Sequence, residues 1–176
     1  MLGAATCCGS IPHPDRALDV LLLNGTTAEE KIFVSTAPYL MHELLTGCQD
    51  IISAKWCHTD LHPNNIMVAW NPVKDRWELR IIDLGNKAAL GSKSRYTKSR
   101  NGKPQIAPEL YRGTGRHTES SEVFSICYLI TNFFPALSDM TWRQLVASGC
   151  DSNPLTRPSL KTLKSRLERI LKDWRL

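Results

Sequence analysis

His58-Thr59-Asp60-Leu61-His62-Pro63-Asn64-Asn65-Ile66 reads as a polar loop running into an apolar segment, and after a second such segment the chain reaches Asp83-Leu84-Gly85. The stretch offers a carboxylate at Asp60, an amide five residues on at Asn65, and another carboxylate at Asp83. That is the spacing a phosphoryl-transfer site uses for a base and two metal ligands. Between them, residues 66–70 and 77–82 read as two short strands joined by the turn-rich residues 71–76. Such a hairpin carries Asp83 back to the neighbourhood of Asp60.

Upstream, Ala17–Leu23 is a short apolar segment read as a helix, closed by the turn pair Asn24-Gly25. Thr27 and Glu30 are spaced as a capping box, and Ile32, Leu40, Met41, Leu44, Leu45, Cys48, Ile51 and Ile52 recur at helical spacing. They predict a long core helix bent near Pro38. Downstream, residues 85–106 are polar, Ser-rich and basic, as expected of a mobile loop without a core role. Three helices follow: 120–134, stopped by Pro135; 140–147, ended by Gly149; and one entered through Pro158, with Leu160, Leu163, Leu167, Ile170, Leu171 and Trp174 on its apolar face.

The 176 residues suffice for one domain with its own core, and 42% hydrophobic with 22% charged residues is the composition of a soluble globular protein. Lys and Arg number 22 against 17 Asp and Glu, a net charge of +5 that favours acidic partners and names none. Part of the excess is local: Lys87, Lys93, Arg95, Lys98, Arg100 and Lys103 occur without an intervening acid, as in a solvated loop or a phosphate-facing or regulatory one. No aromatic interleaving accompanies them, so no nucleic-acid partner is expected. The six cysteines lack paired zinc spacing and read as buried free thiols of a reducing compartment. No run approaches the roughly 20 apolar residues of a membrane span, and a cytoplasmic protein is expected.

The order of landmarks then becomes specific: His58-x-Asp60 with Asn65, Asp83-Leu84-Gly85, Ala107-Pro108-Glu109, Glu122-Val123-Phe124-Ser125, and Arg157-Pro158. This arrangement resembles the C-terminal lobe of a eukaryotic protein kinase. The resemblance implies a mainly α fold with a small β-hairpin, residues 1–16 being an irregular lead-in and residues 17–176 the kinase-like domain. It implies that Asp60 accepts the substrate hydroxyl's proton, that Asn65 and Asp83 hold Mg²⁺, and that Met67 forms the lower wall of an ATP site. His58 and Leu84 match the family's apolar spine, Glu109 and Arg157 its buried ion pair, and Glu122 the residue bracing the loop that bears Asp60.

The sequence also departs from the family pattern. No Gly-rich phosphate loop, strand lysine or partnering glutamate is found upstream of Ala17, so a truncated unit, weak or inactive alone, is expected. Thr59 stands where the family has an Arg that pairs with a phosphorylated activation loop; Ser92, Ser94, Tyr96, Thr97 and Ser99 would lack that ordering partner. His62 replaces a lysine, leaving Ser/Thr, Tyr and small-molecule acceptors open. Glu122 replaces Asp, and its extra methylene is expected to loosen the loop. The short connection 131–139 is expected to lack the substrate-docking helix. Two functions follow from the resemblance: a phosphotransferase using ATP and Mg²⁺, or a non-catalytic lobe mimic that binds a kinase or a kinase substrate protein.

Overall fold

A 27-residue helix, α1 (Thr27–Ser53), carries the apolar face around which the core is built. The computed structural model describes residues 16–17, 27–96, 103–113 and 115–173. Ala37, Leu40, Met41, Leu44, Leu45 and Cys48 are all buried on α1, the i, i+3, i+4 spacing of a helix with one face in the core. Pro38 lies inside α1.

Two strands, β3 (Ile66–Asn71) and β4 (Arg76–Ile81), form the expected hairpin, in register from Ile66 opposite Ile81 to Asn71 opposite Arg76. Asn71 Oδ1 accepts the N–H groups of Val73 and Lys74 at 3.0 and 3.1 Å, closing the turn. Glu43 Oε2 on α1 accepts the Leu79 N–H at 2.6 Å, fixing the hairpin against the helix. A short strand, β1 (Arg16–Ala17), pairs antiparallel with Met67 and Val68. Ala17 therefore begins no helix: its backbone completes the open edge of β3. The remainder of the expected 17–23 helix, the Asn24-Gly25 turn, and the side chains of the Thr27–Glu30 box lie outside the described residues.

The basic segment also differs from its expectation as a coreless loop. Its first part adds β5 (Ala88–Ala89) to β2 (Trp56–Cys57), with Cys57 opposite Ala88. At its end, Ile106 and Ala107 are buried with Leu110, Tyr111 and Phe124 in a small second core, against which Tyr96 packs. Backbone pairing and a few apolar anchors thus tie down a segment whose average composition is polar.

The remaining helices are α2 (Pro108–Tyr111), α3 (Glu119–Phe133), α4 (Met140–Gly149) and α5 (Leu160–Asp173). Thr118 and Ser121 exchange side-chain to backbone hydrogen bonds as a capping box, which starts α3. Pro135 follows its end, as the sequence predicts. On α5, Leu160, Leu163, Leu167, Ile170 and Leu171 are buried, so the apolar stripe is core. Trp174 lies outside the described residues. Among the described cysteines, Cys48, Cys57 and Cys127 are buried free thiols and Cys150 is half-buried and free.

Candidate functional site

The 58–65 loop runs from β2 to β3, with a single 3-10 turn at Pro63–Asn65. His58 is fully buried; its Nε2 lies 2.9 Å from the Ile82 carbonyl and its Nδ1 3.4 Å from the Asp60 N–H. Burial lowers its pKa, so the ring is neutral with Nε2 as donor and Nδ1 as acceptor. His58 therefore joins the loop to the chain just before Asp83.

Thr59 has a φ of +71°, an uncommon conformation for a β-branched residue. Three hydrogen bonds hold it: its N–H to Glu122 Oε1 at 3.1 Å, its hydroxyl to the Asn86 carbonyl at 2.8 Å, and its carbonyl from the Tyr96 hydroxyl at 2.6 Å. The extra methylene of Glu122 does not keep the carboxylate from the loop. Burial raises the Glu122 pKa to about 7, while the N–H groups of Thr59 and His58 pull it down.

This bracing sets Asp60, which is 8% exposed. Its Oδ1 accepts from Lys103 Nζ at 2.9 Å; its Oδ2 is 3.4 Å from Asn86 Nδ2 and 4.0 Å from His62 Nε2. Asn65 is buried and donates from Nδ2 to the Asp60 carbonyl at 2.9 Å. Its backbone carbonyl accepts the Ile82 N–H at 3.0 Å. Asp60 and Asn65 are thereby one hydrogen-bonded unit, anchored to the end of the hairpin.

Asp83 follows that hairpin in the left-handed region, φ +59°, and its Oδ1 accepts the Gly85 N–H at 3.2 Å. It is exposed. Leu84 is 42% exposed, with Ile82 and Trp56 each at 39%. Met67 is half-buried on β3, opposite Ala17 and Arg80. Glu109 and Arg157 meet in a two-pronged ion pair, 2.7 and 2.8 Å, with the Arg157 side chain fully buried. Arg157 also donates to the carbonyls of Asp151 and Ser120 and stacks 5.0 Å from the Phe124 ring.

Asn65 and Asp83 each keep an oxygen of the kind a hard divalent cation takes. The Asn65 amide spends its N–H on the Asp60 carbonyl, which leaves its oxygen as an acceptor, and exposed Asp83 has a carboxylate oxygen beyond the one that caps Gly85. Among the described residues no three His, Cys, Asp or Glu side chains gather as a metal-ligand set. An amide and a carboxylate suit Mg²⁺, which fills its other positions with water and phosphate oxygens.

The profile of the protein kinase domain family matches residues 16–141, a span containing all of this loop, the hairpin and Asp83. The chain belongs to the protein kinase family. It is also 27% identical over 124 residues to a "Probable serine/threonine-protein kinase fhkC" of Dictyostelium discoideum, a match covering 67% of this chain and 20% of that protein. Kinase family membership implies ATP and Mg²⁺ as donor and metal. Among the described residues no helix is long and apolar enough to cross a membrane.

Three contacts of Asp60 and its loop lie beyond what the sequence indicates: Lys103, Asn86 and Tyr96. Lys103 and Tyr96 sit in the basic segment, whose charge run was visible but whose target was not. Asn86 carried no sequence signal beyond its place after Gly85.

Proposed function

We propose that this chain bears the catalytic side of an ATP-dependent protein kinase, transferring a phosphoryl group to a protein hydroxyl. The observation that carries the reading is the buried Asp60 carboxylate, fixed through Asn65 and the braced Thr59 while Oδ2 keeps only distant partners. Asp60 accepts the hydroxyl proton; Asn65 and Asp83 hold Mg²⁺; Met67 contacts the adenine. Bound Mg²⁺ neutralises charge on the transferring phosphates. His58, Glu109, Glu122 and Arg157 hold the site together within a domain running from 17 to 176, while Leu84 stands exposed beside Asp83.

The exposed Ile82 and Leu84 on either side of Asp83 support a second body resting on this face and covering the nucleotide, in the same polypeptide or in trans. Positioning and electrostatics supply most of the catalysis in this reaction class, so these 176 residues alone are weakly active or inactive. The free buried thiols fit a cytoplasmic protein.

The test is phosphoryl transfer from Mg·ATP to a protein acceptor by the chain mixed with, or fused to, a kinase N-terminal lobe. Transfer is expected to appear and to vanish with Asp60→Ala. Equal transfer by Asp60→Ala would remove Asp60 from the reaction. The same exposed apolar face supports a second reading, a non-catalytic module that docks on a kinase or a kinase substrate protein. In that case the reconstituted wild type binds its partner yet transfers no phosphate.

A further inference from the structure

Lys103 is the one described residue of the basic segment whose charged end reaches Asp60. Its ammonium lies 2.9 Å from Oδ1, although 46% of the side chain is exposed. The backbone that carries this side chain is fixed. The Tyr111 hydroxyl donates to the Lys103 carbonyl, the Ile106 N–H donates to the same carbonyl at 3.2 Å, and Pro104 restricts the backbone of Lys103 before it. Tyr111 and Ile106 belong to the small second core, so the backbone at 103 is set by buried packing.

Lys103 also forms part of the wall of two cavities. One, about 290 Å³, contains Asp60 and Asn86 and is bordered by Lys87 and Arg95. The other, about 390 Å³, opens beside His62 and is lined by Pro63, Tyr128 and Phe133. A lysine ammonium has three N–H donors. One is committed to Oδ1; the others remain for an anion that arrives between the cavities.

We infer that Lys103 is the cation that contacts the transferring phosphoryl group, supplied from the segment before Pro104. The inference rests on the proposed kinase reading of Asp60. Lys103 holds Oδ1, which leaves Oδ2 to take the proton. In the step, the acceptor hydroxyl oxygen forms its bond to the γ-phosphorus of ATP. The bond from that phosphorus to the bridging oxygen breaks, its electron pair leaving on ADP, and the hydroxyl proton passes to Asp60 Oδ2. The spare N–H donors of Lys103 face the phosphoryl oxygens, where charge is redistributed in the transition state.

Two measurements on the reconstituted protein test this. In the first, lysines are acetylated with and without magnesium triphosphate as the probe, and labelling is read by mass spectrometry. Lys103 is expected to be protected about fivefold while Lys93 is unchanged, as an ammonium sharing donors with phosphate requires. Unchanged labelling of Lys103 overturns the inference. In the second, transfer from Mg·ATP is measured in the reconstituted protein. Lys103→Met is expected to lower kcat at least about tenfold with KM for ATP changed less than about threefold, and Lys103→Arg to retain most of the rate. A faster Lys103→Met would make the contact an inhibitory latch, and an unchanged one would make it idle; either overturns the inference. Protection of Lys103 in a wild type that transfers nothing upholds the phosphoryl contact and removes the kinase reading instead.

Discussion

The Glu122 carboxylate accepts the backbone N–H of Thr59 at 3.1 Å from an almost wholly buried position. Burial raises its pKa from 4.5 to about 7. Between those values the folded protein keeps a proton that the unfolded chain has released. The contribution to stability is therefore full below pH 4.5 and is lost as pH rises to about 7. In Glu122→Gln this titration is gone. The stability of wild type minus that of Glu122→Gln should fall by on the order of 3 kcal/mol between pH 4 and pH 8, read by urea unfolding. The buried His58 and His117, whose pKa values are lowered, change stability in the opposite sense but are common to both proteins. A difference that stays flat with pH would show that Glu122 remains charged.

Arg157 makes four hydrogen bonds from a fully buried side chain, two of them to Glu109. Removing it leaves a carboxylate and two carbonyls without their partner. Arg157→Met should cost about 3–5 kcal/mol in urea unfolding, the loss seen when one side of a buried pair is deleted. Arg157→Lys restores charge without the fork and should recover only part. A loss below about 1 kcal/mol for Arg157→Met would place this pair with exposed ones.

Much of this site is legible in the sequence because its parts are local. The capped and proline-bounded helices and the Asn71 turn are written in short-range spacing, and so is the loop from His58 to Asn65. The partners across space are not. Glu122 is 63 positions from Thr59 and Lys103 is 43 from Asp60, separations that no local pattern encodes. Ala17 failed as a helix start because its environment is the free edge of β3, a tertiary feature. The basic segment misled in the same way: its average is polar, while Ile106, Ala107 and Tyr96 anchor it to a small core.

Asn65 couples the backbone of Asp60 to the hairpin, so its side chain acts on stability apart from any metal. Asn65→Ala removes the bond to the Asp60 carbonyl and should cost about 1–3 kcal/mol in urea unfolding. Asn65→Asp keeps the shape but turns a donor into a second acceptor facing that carbonyl. It should be the less stable of the two at neutral pH and should recover on acidification as the new carboxyl takes a proton. If Asn65→Asp is as stable as wild type at neutral pH, the amide does not donate to Asp60.

Tyr96 is the last described residue before position 103, and its hydroxyl donates to the Thr59 carbonyl at 2.6 Å. Burial raises its pKa to about 12, so it stays a donor throughout the physiological range. The ring packs 5.9 Å from Tyr111, the residue that also fixes the Lys103 carbonyl. Tyr96→Phe removes one oxygen and keeps this packing, at a cost of about 1 kcal/mol. Its larger effect should be local, because Thr59 then loses one of the three bonds that hold it at φ +71°. Amide exchange at Thr59 and across 88–96 should quicken while that of α1 is unchanged, measured by mass spectrometry. Uniform acceleration through α1 would mean that Tyr96 supports the whole fold; no acceleration would mean that Glu122 and Asn86 hold Thr59 without it.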